Sequence, residues 1–360
     1  MSRPARITIH SAALRHNLLV AKQAAPTAKI MPAIKADAYG HGIINTATTL
    51  QDLADGFIVA CMSEALALRE AKITSTLLVI QGPQSFEDIK IAEEKDIRLV
   101  FHDENQLHLL DAVSSPGKVK VALKLDTGMH RLGIAASRAK NDYENLQSHP
   151  NVHTVVWLMT PLACADDMKN DYTHQQIETF DHHTRTLSAT KTIANSAGIL
   201  GWESSHKDWV RPGIMIYGSS PINNKNREHF NLQASMTLTA PLIALHALKK
   251  GDAIGYGSTW ACPHDMHVGV VACGYADGYP RHAASGTPVF LKGTRTQTLG
   301  RVSMDLIVID LTHIDAEIGN LVELWGKNIN IDDVAQSAET ISYELLCHAG
   351  SSCKKTIEPS

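Results

Sequence analysis

The sequence predicts an α/β protein, a (β/α)8 barrel followed by a smaller, mainly β C-terminal domain. Three observations predict it. Apolar runs of strand length alternate with polar segments of helical spacing as far as residue 217. Eight such β units can be counted, and alternation of this kind builds a parallel sheet that closes on itself at eight. Beyond residue 230 the helical segments give way to short strand-like runs broken by glycine.

Taken in order, Ile7-Thr8-Ile9-His10 alternates like a short strand. Ser11 is then placed to cap a helix through Gln23, with Leu14, Leu18 and Leu19 on one side. The first barrel strand is the apolar run 29–34, and seven more follow at 57–62, 77–81, 98–101, 119–125, 155–159, 191–194 and 210–217. Helical segments lie between them at 63–71, 85–94, 104–113, 137–147 and 171–188, the first opened by Ser63 directly after its strand. A doubly wound open sheet is the alternative, but no Gly-x-Gly-x-x-Gly follows the first strand to support it. Pro221-Ile222-Asn223-Asn224-Lys225-Asn226 reads as a linker. It divides the chain into a barrel at 10–228 and a β domain at 229–360, on which an N-terminal strand at 5–9 is expected to pack. The β domain has runs at 236–248, 267–273, 289–291, 306–311 and 321–325, and a last helix-like piece at 341–348. No internal repeat beyond the βα alternation is visible, and no low-complexity segment.

Composition narrows the function classes. The 360 residues suffice for a sizeable core, and the net charge of −4 points to neither nucleic acid nor an anionic membrane. No apolar run reaches the roughly 18 residues of a membrane helix, and the basic start lacks the apolar core of a signal peptide. A cytoplasmic location is expected. The six cysteines are scattered without a Cys-x-x-Cys pair, and the 19 histidines show no His-x-x-x-His or His-Glu-x-x-His spacing, so no metal is expected. His182 and His183 read as solvated residues of a polar helix.

The chain is organised around Met31-Pro32-Ala33-Ile34-Lys35-Ala36-Asp37-Ala38-Tyr39-Gly40-His41-Gly42. Lys35 appears where the first strand should end. The plain reading is a solvated charge before a glycine-rich loop. The sharper reading is a desolvated lysine whose lowered pKa makes its amine a Schiff-base nucleophile. Barrel enzymes place their sites at the C-terminal ends of the strands. By that rule Lys35 ends strand one, Arg131 follows strand five, Asn195-Ser196-Ala197-Gly198 follows strand seven, and Arg211-Pro212-Gly213 falls within the eighth segment. The last two supply a hydroxyl, glycine and backbone amides, which suit a phosphate. A reactive lysine beside a phosphate cradle fits either a sugar-phosphate aldolase or a pyridoxal phosphate enzyme.

The motif from Pro32 to Gly42 resembles the cofactor-lysine signature of the alanine racemases, with lysine, tyrosine and Gly-His-Gly all in register. Further similarity lies at 124–133, 194–196, 211–218, 255–259, 274–278 and 300–305, within roughly residues 4 to 347. The opening residues and length are most similar to the catabolic bacterial subgroup. The resemblance implies a homodimer acting on alanine, in D-alanine supply for peptidoglycan or in alanine catabolism. Lys35 would hold pyridoxal 5'-phosphate as an aldimine and act as base on one face of the substrate. Tyr256 of a second subunit would act on the other face, and its phenol must be tuned downward to do so at neutral pH. Arg211 would donate to the pyridine nitrogen. Tyr39, Ser196, Asn195, Gly213, Ile214 and Tyr343 would hold the cofactor. Arg131 would sit near the substrate carboxylate, and Tyr275 and Met304 would line the entrance from the second subunit, with Asp305 supporting Met304. The lysine matching Lys124 is often carbamylated in the family, while a plain Lys124–Asp126 pair on one strand face is the alternative.

Two places depart from the pattern. Pro161 stands where family members usually carry a histidine that supports the pyridine-binding arginine, and proline offers no donor. Reduced cofactor affinity or turnover is the expectation, with Pro161→His raising one of them. After Cys347 the family continues into an arginine-valine-proline stretch ending a strand, whereas this chain reads His348-Ala349-Gly350-Ser351-Ser352-Cys353-Lys354-Lys355. A decarboxylase of the same architecture and a weakly active pyridoxal phosphate carrier are the competing readings. The first lacks its triple-glycine phosphate loop and cysteine here, and the β domain with Tyr256 and Tyr275 counts against the second.

Overall fold

The computed structural model describes residues 3–112 and 118–358. Strand β1 (Arg6–His10) leads into the helix Ser11–Ala24. The barrel strands then follow as β2 (Lys29–Ile30), β3 (Gly56–Val59), β4 (Thr76–Val79), β5 (Ile97–Phe101), β6 (Val119–Asp126), β8 (Val152–Met159), β9 (Thr190–Thr192) and β10 (Trp209–Val210), with a short β7 (Ile134–Ala135) folded along the end of β6. They are joined in parallel in the order β2-β10-β9-β8-β6-β5-β4-β3. The gap between β3 and β2 is closed by a parallel bridge from Ala33 to Ile58, where Ile58 N donates to Pro32 O and Ile34 N to Ile58 O, each at 2.9 Å.

Alternation along each strand separates two layers. Met31, Ile58, Leu78, Val100, Ala122, Trp157, Met159 and Trp209 fill the barrel interior. Phe57, Leu77, Val79, Leu99 and Phe101 turn the other way, into the core beneath the surrounding helices. Burial on both faces explains why the strands read as continuous apolar runs.

The second sheet contains β11 (Met236–Leu248), β14 (Met266–Val271), β15 (Pro288–Leu291), β16 (Thr294–Leu299), β17 (Ile307–Asp310), β18 (Leu321–Trp325) and β19 (Lys354–Glu358), with β12 (Ala253–Ile254) and β13 (Trp260–Ala261) as a separate small hairpin. β1 belongs to this second sheet, antiparallel to β11 and parallel to β19.

Several elements differ from expectation. Ser11 is the first helical residue rather than the cap, and His10 holds the cap position without a side-chain bond. The run 57–62 ends as strand at Val59, and the next helix already begins at Met62 after Cys61, not at Ser63. Of 210–217 only Val210 is strand, because Arg211-Pro212-Gly213 breaks it and Ile214–Tyr217 coils into a 3-10 turn. The 104–113 helix is Glu104–Asp111, and Val113 lies outside the described residues. Polar β16, the helix Ile331–Ser337 and the hairpin β12–β13 escaped the periodicity reading. The final helix runs Ser342–Ser352, and the divergent tail still ends as a strand, β19.

Candidate active site

Lys35 stands just past the Ala33–Ile58 bridge, and there the chain makes one left-handed turn. Ala36, Asp37, Ala38 and Tyr39 have φ of 53°, 52°, 55° and 50°, and Gly40 follows at 81°. Left-handed backbone costs a non-glycine residue roughly 1–2 kcal/mol, so a turn of four must be held from outside. Glu64 accepts from Ala36 N and Ala60 N, each at 2.7 Å. Asp37 Oδ1 accepts from Ile43 N at 2.8 Å. His41 is buried, and burial holds its pKa down to about 4. The neutral ring donates from Nδ1 to the Ala38 and Tyr39 carbonyls (3.0 Å each) and sits 2.8 Å from Ser235 Oγ through Nε2. The helix Ser342–Ser352 meets the turn backbone to backbone: a Cβ on Gly350 would lie 2.2 Å from Gly40 O.

Above this turn the barrel mouth gathers positive charge. Burial lowers the Lys35 pKa, and Arg131 lowers it further. Lys124, buried on β6, is pushed down to about 8 by burial first and then by Arg211, Arg131 and Lys35. Asp126 does not pair with Lys124; it turns away to the Gly128 and His130 amides (2.9 and 3.0 Å) and the His130 ring. The plain Lys124–Asp126 pair is therefore not formed, since the turn after β6 captures the carboxylate. Among the described residues no carboxylate forms an ion pair with Lys35, Lys124, Arg131 or Arg211. Arg211 is lowered to about 10 by burial. It donates to Thr192 Oγ1 (2.5 Å), Thr160 O (2.8 Å) and Ile193 O (3.0 Å), which leaves two of its five N–H groups for a ligand. Three oxygens thus hold the arginine although Pro161 offers nothing.

Beside the cations lies a cradle of hydroxyls and amides. Tyr39 stacks on Tyr217, centroids 4.6 Å apart, and lies 5.7 Å from Tyr343. A Cβ on Gly213 would come 3.0 Å from the Tyr39 hydroxyl, so glycine keeps that approach open. Ser196 Oγ accepts from Gly213 N (2.8 Å) and Met215 N (3.3 Å), next to Ile214. Asn195 caps the helix Ser196–Gly201 through Gly198 N at 2.9 Å and so fixes Ser196. A cleft of about 870 Å³ runs past Asn195 and Tyr343 between the barrel and the segment 330–343, but Lys35 does not line it.

Tyr256, Tyr275 and Met304 stand apart. They are 69%, 40% and 53% exposed, and among the described residues nothing links them to the Lys35 group. Sequence reasoning gave no role to Glu64, His41, Thr192 or Tyr217. Only His41 and Tyr217 left a signal, as unassigned members of the quoted motifs.

Comparison with known proteins decides the family. The model described as "Alanine racemase, N-terminal domain" matches residues 9–221, and that described as "Alanine racemase, C-terminal domain" matches 235–357. The chain belongs to the alanine racemase family. An alanine racemase from Thioalkalivibrio sulfidiphilus is 45% identical over 355 residues, covering 97% of this chain and 98% of the relative. One from Pasteurella multocida is 43% identical, covering 96% of each. The crystal structure of the biosynthetic alanine racemase from Pseudomonas aeruginosa superposes with a TM-score of 0.95 at 38% identity, covering 99% of this chain and 100% of that one. That relative is described as biosynthetic, so these comparisons do not single out the catabolic subgroup suggested by the opening residues. As in other alanine racemases, the chain pairs a TIM-like barrel with an antiparallel β domain.

Proposed function

We propose that the protein interconverts L-alanine and D-alanine with pyridoxal 5'-phosphate, and that two copies build each active site. The observation that carries this reading is the unneutralised set Lys35, Lys124, Arg131 and Arg211 above a hydroxyl and amide cradle. Such a set fits a phosphorylated, anionic group: Lys124 is buried and Lys35 and Arg211 are half-buried, without an ion-pair partner among the described residues, a cost that an arriving anion relieves, and the exposed Arg131 adds its charge. Bound there, the cofactor would supply an electron-withdrawing ring that stabilises negative charge at the substrate Cα.

The chain's own residues do the rest. Lys35, whose charged form is disfavoured by burial and then by Arg131, offers the amine that tethers the group and carries a proton to or from Cα on one face. Tyr256 from a second copy serves the other face; its 69% exposure in the single chain supports a role across an interface. Arg211 donates to the ring nitrogen and remains protonated at neutral pH. Tyr39, Ser196, Gly213, Ile214 and Tyr343 hold the phosphate, and Asn195 serves the cofactor site by capping the helix that carries Ser196. Arg131 orients the substrate carboxylate, while Tyr275 and Met304 narrow the entrance so that side chains longer than a methyl are excluded. Lys124, with a pKa of about 8, has neutral amine available to take up carbon dioxide as a carbamate, which would turn one cation into an anion facing Arg131. We place the barrel unit at 10–228 and the β unit at 229–360. The six free thiols support a cytoplasmic location, and no described helix is long and apolar enough to cross a membrane.

Incubation of cofactor-loaded protein with L-alanine in D₂O tests the reading. Deuterium at Cα together with D-alanine supports it. Carbon dioxide release would replace it with a decarboxylase, and an unchanged substrate with a carrier.

A further inference from the structure

We propose that Arg3 is a positioning residue for the substrate entrance, locking the loop that carries Tyr275 to the loop that carries Met304. This rests on the reading of those two side chains as substrate-facing.

Arg3 Nε lies 2.5 Å from Asp277 Oδ1, and its Nη2 lies 3.0 Å from Asp277 Oδ2 and 2.5 Å from Asp305 Oδ1. One guanidinium thus bridges two carboxylates in the fork geometry that lysine cannot reproduce. Asp277 ends the 3-10 turn Tyr275–Asp277, and Asp305 directly follows Met304. The two loops already touch through the backbone. Tyr275 N donates to Ser303 O at 3.1 Å and Ala276 N to Met304 O at 3.0 Å. A Cβ on Gly274 would sit 2.3 Å from Met304 O, so only glycine permits this approach.

Charge makes the contact conditional. The Asp277 side chain is 1% exposed, and among the described residues Arg3 is its only ion-pair partner. Its Oδ2 also accepts from Gly274 N at 2.9 Å, so the same carboxylate shapes the turn that presents Tyr275. Without Arg3 a buried carboxylate would stand uncompensated beside a second one, an arrangement that relaxes by separating the loops or admitting water. Either response moves Tyr275 against Met304 and widens the entrance. A displacement of about 1 Å in a positioning group is enough to alter productive binding strongly.

The experiment compares Arg3→Ala, Arg3→Lys and Asp305→Asn with wild type, all as cofactor-loaded full-length protein. Arg3→Ala is expected to raise KM for alanine about tenfold, to leave kcat within about threefold, and to erode the preference for alanine over serine. Arg3→Lys should recover part of the loss, and Asp277→Asn in the Arg3→Ala background should recover more by removing the buried charge. Cofactor affinity, followed by absorbance, should stay at the wild-type value. Should Arg3→Ala not fold, the exposed Asp305→Asn carries the test, with a smaller KM rise. Unchanged KM and selectivity in folded Arg3→Ala or Asp305→Asn would overturn the proposal. If wild-type protein neither racemises nor exchanges alanine, the substrate reading fails instead. Amide hydrogen exchange at Tyr275 and Ala276 then decides: faster exchange in the variant keeps the lock, and equal exchange removes it.

Discussion

Lys124 carries a charge that the folded chain disfavours. Its pKa falls from 10.5 to about 8 because burial strips its hydration and Arg211, Arg131 and Lys35 repel it. The cost is absent above pH 10.5, where folded and unfolded chains both hold a neutral amine. It grows as pH falls from 10.5 to 8 and is constant below. Lys124→Met should therefore stabilise the cofactor-free protein by about 2 kcal/mol at about pH 7, with the gain fading by pH 10.5, while racemisation falls. Chemical unfolding at the two pH values checks it. The lysine itself was legible in the sequence through its motif. Its isolation from Asp126 was not, because two-residue alternation brings the pair to one face but cannot show that the Gly128 and His130 amides take the carboxylate. Arg211 teaches the same lesson. Pro161 suggested an unsupported arginine, yet Thr192 and two carbonyls hold it from neighbouring strands. Thr192→Val should lower cofactor affinity about tenfold, the worth of a hydrogen bond to a charged group. Pro161→His should gain no more than about threefold, since the arginine's remaining N–H groups, and not its anchorage, are what a histidine could still assist. Spectrophotometric titration of both variants measures the contrast.

Among the elements, the left-handed turn at 36–39 shows how a tail can serve a site far away in sequence. Gly40 and Gly42 announced a sharp turn, but nothing in the sequence said that the helix Ser342–Ser352 would press against it. That contact needs Gly350, which lies beyond the helix-like piece at 341–348, in a stretch that departs from the family pattern. Gly350→Ala would place a methyl 2.2 Å from a backbone oxygen that no side-chain rotation can move aside. The helix must shift, taking Tyr343 and Cys347 with it. The expected cost is about 1–3 kcal/mol of stability, together with weaker cofactor retention on dialysis. The neighbouring Lys355–Asp37 ion pair, 2.6 Å long but with Asp37 half exposed, should matter less. Lys355→Ala is expected to cost under about 1 kcal/mol, and the ordering of the two variants in thermal unfolding distinguishes packing from charge as the brace of the turn.

At the scale of the whole molecule, the proposed chemistry draws on two surfaces that no hydrogen bond or ion pair joins among the described residues of one copy. Lys35 lies at the C-terminal mouth of the barrel, while Tyr256 protrudes from the turn of the separate β12–β13 hairpin, 69% exposed. The barrel was readable because parallel strands buried on both faces leave continuous apolar runs. The second sheet was only partly so, because polar β16 carries no such run. How copies associate is not encoded in periodicity at all, since it depends on the shape and chemistry of finished surfaces. It can be tested by complementation. Lys35→Ala and Tyr256→Phe should each be nearly inactive alone. Mixed under conditions that allow subunits to exchange, half of the dimers become heterodimers by random pairing. Each heterodimer holds one site with both wild-type groups and one with neither. Activity should then rise to about a quarter of the wild-type value per site, and heterodimer formation can be confirmed by mass tagging one variant. If heterodimers form and activity stays at the level of the separate variants, each site must draw Lys35 and its opposing acid from a single chain, and Tyr256 loses its role across the interface.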